Sequence, residues 1–176
     1  MPSSMSERNP DIVSEALALW QGGELAAAEE KYREALSQIP DGHPAVPHVR
    51  GQLACVLAAA GRNAEARDEY SRTLSEELAL CDGENDAAVR AIRYLFSRHI
   101  LAMQEPVAAL DILLPARPRA GPWAFTFLEA EIHIAIGARE AAESALQDAF
   151  AIADSDEARQ RIQAKLTDLV NDRQDR

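Results

Sequence analysis

The sequence has few aromatic residues and few cysteines. Phe, Trp and Tyr make up 5% of the 176 residues, so small aliphatic side chains, chiefly alanine, must fill the core. Alanine is the best helix former and allows backbones to approach closely. Cys55 and Cys81 do not form a C-x-x-C pair, which argues against a disulfide framework or a zinc site. We therefore expect a helical protein.

Basic residues and long apolar runs are also scarce. The chain has 18 basic and 29 acidic residues, and its formal net charge is −11. A surface of this sign repels nucleic-acid phosphates and anionic lipids, so we expect no nucleic-acid or membrane partner. The longest apolar run, 53–60, is too short to cross a bilayer, and the polar first ten residues lack the apolar segment of a signal peptide. We expect a cytoplasmic protein.

Motifs for catalysis and metal binding are missing. The sequence contains no Gly-rich phosphate loop, no H-E-x-x-H, no G-x-S-x-G and no kinase signature. Glu129, Glu131 and His133 are spaced two residues apart, so a straight helix does not bring all three onto one face, which suits a metal ion poorly. The sequence therefore predicts a non-enzymatic protein with no catalytic residues, no metal and no cofactor.

Four segments share one spacing of small and large residues. Each has an Ala five residues after a Gly or Gln, a larger apolar residue four positions later and a small residue three after that; the segments begin at Gly23, Gly61, Gln104 and Gly137. These offsets place the residues on one helical face. Seven residues before each start lies a small residue that would let two antiparallel helices pack closely: Ala16, Ala54, Ser97 or Ala130. The Gly would supply the left-handed backbone that ends the first helix.

This pattern resembles the tetratricopeptide repeat (TPR) family over roughly residues 9–154. The family pattern has a period of about 34 residues, and the first repeat matches it best, at Ala28, Tyr32, Ala35 and Pro40. The leading Trp and the Leu-Gly pair of the family are weak throughout. The third repeat is irregular, because Gln104 replaces Gly and because Pro106 and Pro115 bracket a short second helix.

The resemblance implies an all-α fold of antiparallel helix-turn-helix repeats, stacked as a short right-handed α-solenoid. We expect a disordered or flexible N-terminus at 1–8, about four helix pairs at 9–154, and a C-terminal capping helix with a polar tail at 155–176. The segments 41–47 and 81–85 are expected to be loops, and Asn9-Pro10 and Ser155-Asp156 to start helices. The last helix would carry an apolar stripe of Ala158, Ile162, Leu166, Leu169 and Val170. Such a stripe suits a terminal cap; alternatively, it docks a partner.

Partner-binding residues follow from the resemblance, because the first helix of each repeat lines the concave groove in TPR arrays. By position, the expected groove residues are Val13, Leu17, Trp20, Gln52, Tyr94, Arg98, Leu101, Phe127 and Glu131, with Cys55 and Ile134 beside them. The carboxylate clamp of some family members uses Lys and Asn where Val13 and Leu17 stand here, so that clamp is expected to be absent. A mostly apolar groove suits an amphipathic helix or an extended peptide. Alternatively, Leu17, Trp20 and Phe127 pack between repeats as core.

A basic segment adds a hypothesis about the ligand. Arg90, Arg93 and Arg98 occur in a stretch without acidic residues, and Arg117 and Arg119 follow in the next loop. Guanidinium groups bind carboxylates well, so we expect an acidic portion of the ligand at this segment. The alternative is pairing inside the protein with Glu76, Glu77 or Asp86.

Several functions remain open at this stage. A scaffold or adaptor that binds one protein partner is the first. The size, acidity and final repeat are also similar to the TPR translocator chaperones of type III secretion, which implies a small cytoplasmic chaperone for a secreted protein. Self-assembly as a homodimer through the last helix and an immunity or regulatory protein that caps a partner are the others. The fold alone does not separate these functions.

Overall fold

The computed structural model describes residues 5–81, 83, 86–116 and 122–171, and this part of the chain is helical, without strands. The helices are α1 (Met5–Gln21), α2 (Leu25–Gln38), α3 (Ala45–Ala59), α4 (Asn63–Leu80), α5 (Ala87–Ala102), α6 (Pro106–Leu113), α7 (Trp123–Ile136), α8 (Arg139–Ile152) and α9 (Asp156–Asn171). A 3-10 turn, Leu114–Ala116, follows α6. The all-α class predicted from the repeat pattern is confirmed.

The chain divides into two compact units, Met1–Leu95 and Phe96–Arg176. In the first unit α1 packs on α2, α2 on α3, and α3 on α4. In the second unit α6 packs on α7, α7 on α8, and α8 on α9. Helix α5 contributes its N-terminal part to the first unit and its C-terminal part to the second.

Four turns of one kind join α1 to α2, α3 to α4, α5 to α6 and α7 to α8. Gly23, Gly61 and Gly137 have φ of 82°, 75° and 84°, which is the left-handed conformation predicted from the sequence. In each turn this residue donates its N–H to the carbonyl three residues back, and the next residue donates to the carbonyl five back at 2.9 Å. These bonds satisfy carbonyls at the helix end. Gln104, with φ of 62°, forms the same turn, but its second bond is longer, at 3.3 Å.

Small residues bring the helices of each pair together. The residues seven positions before the turns, Ala16, Ala54, Ser97 and Ala130, are all 0% exposed. The alanines five positions after the turns are equally buried. Ser97, the polar member of the first set, donates its hydroxyl to the Ala109 carbonyl at 2.7 Å, so its oxygen is satisfied in the core. The predicted close packing of antiparallel helices is confirmed.

Two helix starts differ from the prediction. Helix α1 begins at Met5 rather than at Asn9-Pro10, and α3 begins at Ala45, inside the predicted loop 41–47. Pro47 thus lies in the first turn of α3, where a backbone N–H has no helical acceptor and its absence costs little. The described residues do not include 1–4, residues 82, 84 and 85 of the predicted loop 81–85, Arg117, Arg119 or the tail at 172–176.

A charged cluster ties α2 to the turn before α4 in the first unit. Glu29 is 8% exposed, and its carboxylate accepts hydrogen bonds from Arg33 and Arg62. Arg62 also pairs with Glu65, which raises the pKa of the Arg62 guanidinium and lowers the pKa of the Glu65 carboxyl. A buried carboxylate is tolerated here because two guanidinium groups meet it.

Helix α9 caps the second unit, as the sequence predicted. The Ser155 hydroxyl accepts the N–H of Ala158 at 3.2 Å, which caps the first turn. Ala158 and Ile162 are 3% and 0% exposed and join one core cluster with Leu146 of α8. Val170 departs from the predicted stripe, since it is 47% exposed.

Candidate functional site

The expected groove residues of the first unit lie on α1, α3 and α5. Val13 and Trp20 are half-buried and Leu17 is 39% exposed, on one face of α1. On α3, Gln52 is half-buried, as is Cys55 one turn later. These side chains are therefore partly in contact with solvent.

Two tyrosines surround Cys55. The Tyr70 hydroxyl donates to the Cys55 sulfur at 3.3 Å. Tyr32 is fully buried, and its hydroxyl has no hydrogen-bond partner among the described residues. Burial raises the pKa of Tyr32, and the neighbouring Cys55 thiol adds to the shift. The second thiol, Cys81, has its pKa raised to about 11 by burial and by Asp86 and Glu77, so it is protonated at neutral pH.

The three arginines of the basic segment have different surroundings on α5. Arg93 is 8% exposed, and both Arg90 and Arg93 interact with other groups of the protein. Arg98 is exposed and has no ion-pair partner among the described residues. It shares one helical face with Tyr94 and Leu101, four residues before and three after it. A ligand carboxylate would therefore meet Arg98 more readily than the other two arginines.

In the second unit, two of the expected groove residues line one cavity. The cavity has a volume of about 390 Å³ and is lined by Leu101, Gln104, Pro106, Glu131 and Ala135. Leu101 lies near the end of α5, and Gln104 lies in the turn that follows. Pro106 begins α6, and Glu131 and Ala135 come from α7. The Glu131 carboxylate lies 3.8 Å from the Lys165 ammonium of α9.

Phe127, also expected in the groove, lies in the core. It is 4% exposed, and Trp123 meets its ring edge-on with the ring centres 5.8 Å apart. The Arg161 guanidinium of α9 stacks over the ring at 4.8 Å from its centre. A side chain covered in this way offers little surface to a partner, which is the alternative that the sequence left open. Ile134, two residues before the end of α7, is half-buried.

Sequence reasoning missed three of the cavity residues. Gln104 carried a signal, since it stands where the other three turns have Gly. Pro106 and Ala135 carried none, because they become neighbours only when α6 packs on α7.

Glu129 and His133, one turn apart on α7, form a loose pair at 3.8 Å. In the described part of the chain, no three His, Cys, Asp or Glu residues are placed to hold a metal ion.

The chain is similar in fold to several solved structures of other proteins. A Podospora anserina protein described as a kinesin light chain with nearly identical TPR-like repeats aligns over 99% of this chain and 91% of its own, with a TM-score of 0.82 and 17% identity. This chain has the TPR-like repeat fold. MamA from Desulfovibrio magneticus RS-1 aligns over 98% of this chain and 88% of its own, with a TM-score of 0.76 and 16% identity. BtubC from P. vanneervenii aligns over 94% of this chain and 67% of its own, with a TM-score of 0.75 and 16% identity.

At the level of sequence, no family model and no curated protein matches this TPR-like chain. The identities to the solved structures are low, so the likeness establishes the fold, and the function must be argued from the residues of this chain. Among the described helices, none combines the length and the apolar character needed to cross a membrane.

Proposed function

We propose that this TPR-like chain is a non-enzymatic, cytoplasmic protein-protein interaction module, which binds a peptide or a helix of a partner along the first helices of its repeats. The observation that carries the proposal is the cavity of about 390 Å³ at Leu101 and Glu131. Two residues expected in the groove, 30 positions apart in the sequence, line one concave space. Concave spaces that combine apolar surface with a few polar groups are the usual form of a binding site.

The chemistry of the exposed groups indicates what would bind. Leu101, Pro106 and Ala135 offer apolar surface in the second unit, as Leu17 and Trp20 do in the first. Arg98 would meet an acidic portion of the partner, because Arg90 and Arg93 are already engaged within the protein. A chaperone for a secreted protein and an immunity protein would use the same surface, and the identity of the partner separates them.

The test is a pull-down of the tagged full-length chain from its native host, with the retained proteins identified by mass spectrometry. Arg98→Glu and Leu101→Asp should each reduce the retained partner at least tenfold, because one reverses a charge and the other places a carboxylate in apolar surface. Arg72→Glu and Ile152→Asp are the matched controls. Arg72 is 65% exposed on α4 and Ile152 is 45% exposed on α8, both on second helices of repeats.

The controls should retain the partner at the level of the unaltered chain. A partner retained equally by all five proteins would contradict the proposal and place binding on another surface. Light scattering on the same samples reports self-association. A dimer that dissociates in Leu101→Asp but not in Ile152→Asp would make a second copy the partner.

A further inference from the structure

The turn at Gln104 adopts a backbone conformation that glutamine disfavours. Its φ is 62°, and it is the one non-glycine residue with positive φ in the described part of the chain. Gly23, Gly61 and Gly137 hold the equivalent positions of the other turns. Glycine adopts this conformation without steric cost, whereas a residue with a Cβ is strained there. Backbone strain of this kind is concentrated at functional sites.

The side chain of Gln104 lines the cavity that holds Glu131. Among the described residues that line the cavity, Glu131 supplies a carboxylate and Gln104 an amide, while Leu101, Pro106 and Ala135 supply apolar surface. A cavity of about 390 Å³ is large enough for one long side chain of a bound segment. Glycine at position 104 would remove the strain and also the amide.

Charge indicates which side chain fits. The Lys165 ammonium lies 3.8 Å from the Glu131 carboxylate, which is beyond hydrogen-bond distance, so the carboxylate oxygens can still accept from a ligand. Arginine combines a long apolar stem with a planar fork of donors, and the fork matches a carboxylate. The net charge of −11 also favours the approach of a basic segment.

We propose that the cavity recognises an arginine side chain of the bound partner segment, with the stem against Leu101, Pro106 and Ala135 and the guanidinium donating to Glu131 and to the Gln104 amide oxygen. This inference rests on the proposed function, since it names one residue of the segment that the module binds. Arg98, one turn before Leu101 on α5, would meet an acidic residue of the same segment.

The probe is the blocked tripeptide acetyl-Gly-Arg-Gly-amide, titrated into the ¹⁵N-labelled full chain and followed by NMR. We expect saturable shifts of backbone amides near residues 101–106 and 131–135, with a Kd in the millimolar range. The same peptide with citrulline in place of arginine keeps the shape and loses the charge, and it should bind at least fivefold more weakly. Glu131→Gln should weaken the binding of the arginine peptide to a similar degree. Lys165→Gln should tighten it, because the competing cation is removed.

Gln104→Gly separates a binding role from a structural one. Relief of the strain should raise Tm by about 2 °C, while the lost amide should weaken the arginine peptide at least threefold. A higher Tm with an unchanged Kd would overturn the role of Gln104. Equal binding of the arginine and citrulline peptides, or the absence of a saturable shift, would overturn the proposal that this cavity recognises arginine. The peptide could fail to bind while Leu101→Asp still loses its partner in the pull-down. That result would support the proposed function and overturn arginine recognition by the cavity.

Discussion

At the residue scale, the hydroxyl of Tyr32 is a polar group buried without a partner among the described residues. An unpaired buried hydroxyl costs free energy, so Tyr32→Phe should raise the free energy of unfolding by about 1 kcal/mol. Urea unfolding followed by circular dichroism measures the change. Tyr70→Phe is the control, because the Tyr70 hydroxyl donates to the Cys55 sulfur, and it should leave stability unchanged or slightly lower. A loss of stability in Tyr32→Phe would show that its hydroxyl is satisfied.

The residues that the sequence predicted well are those whose surroundings are local. Ala16 and Ala28 lie on adjacent helices joined by a tight turn, so their spacing alone indicates that they meet. Phe127 is different, because Arg161, which covers it, lies two helices further along the chain. Periodicity placed Phe127 on the correct helix but gave no indication that α9 would cover it.

At the scale of elements, the Glu29 cluster holds α2 against the turn that precedes α4. Glu29→Gln should lower the free energy of unfolding by about 1–3 kcal/mol, because two guanidinium groups lose a charged acceptor that is nearly buried. Glu30→Gln, at the exposed adjacent position, is the control and should change stability by less than about 0.5 kcal/mol. Urea unfolding of both variants at pH 7 measures the difference. Equal effects of the two substitutions would contradict a specific role for the cluster.

Helix ends were predictable where a side chain or a backbone conformation fixes them. Ser155 marked the start of α9, and the three glycines with positive φ marked the ends of α1, α3 and α7. Pro10 and Pro47 predict later starts for α1 and α3 than the structure has. Pro47 is instead accommodated in the first turn, where its missing N–H has no helical acceptor.

At the scale of the whole molecule, the repeat pattern predicted the fold because each repeat reuses the same small and large positions, and these positions are buried wherever the structure describes their side chains. The cavity could not be predicted in the same way. Its lining comes from three helices and from the turn at Gln104, where the other three repeats have glycine. The repeat pattern therefore predicts the fold, whereas the candidate site lies at the turn that departs from the pattern.

If the face of the first helices binds a partner protein, site-specific photo-crosslinking in the native host should detect that contact. In one variant, benzoylphenylalanine replaces Tyr94, which is half-buried on α5 near Arg98. In the matched aromatic control it replaces Phe150, which is 38% exposed on α8. We predict a crosslink to one partner protein from position 94 and none from position 150. Crosslinks from position 150 alone, or from neither position, would contradict the claim.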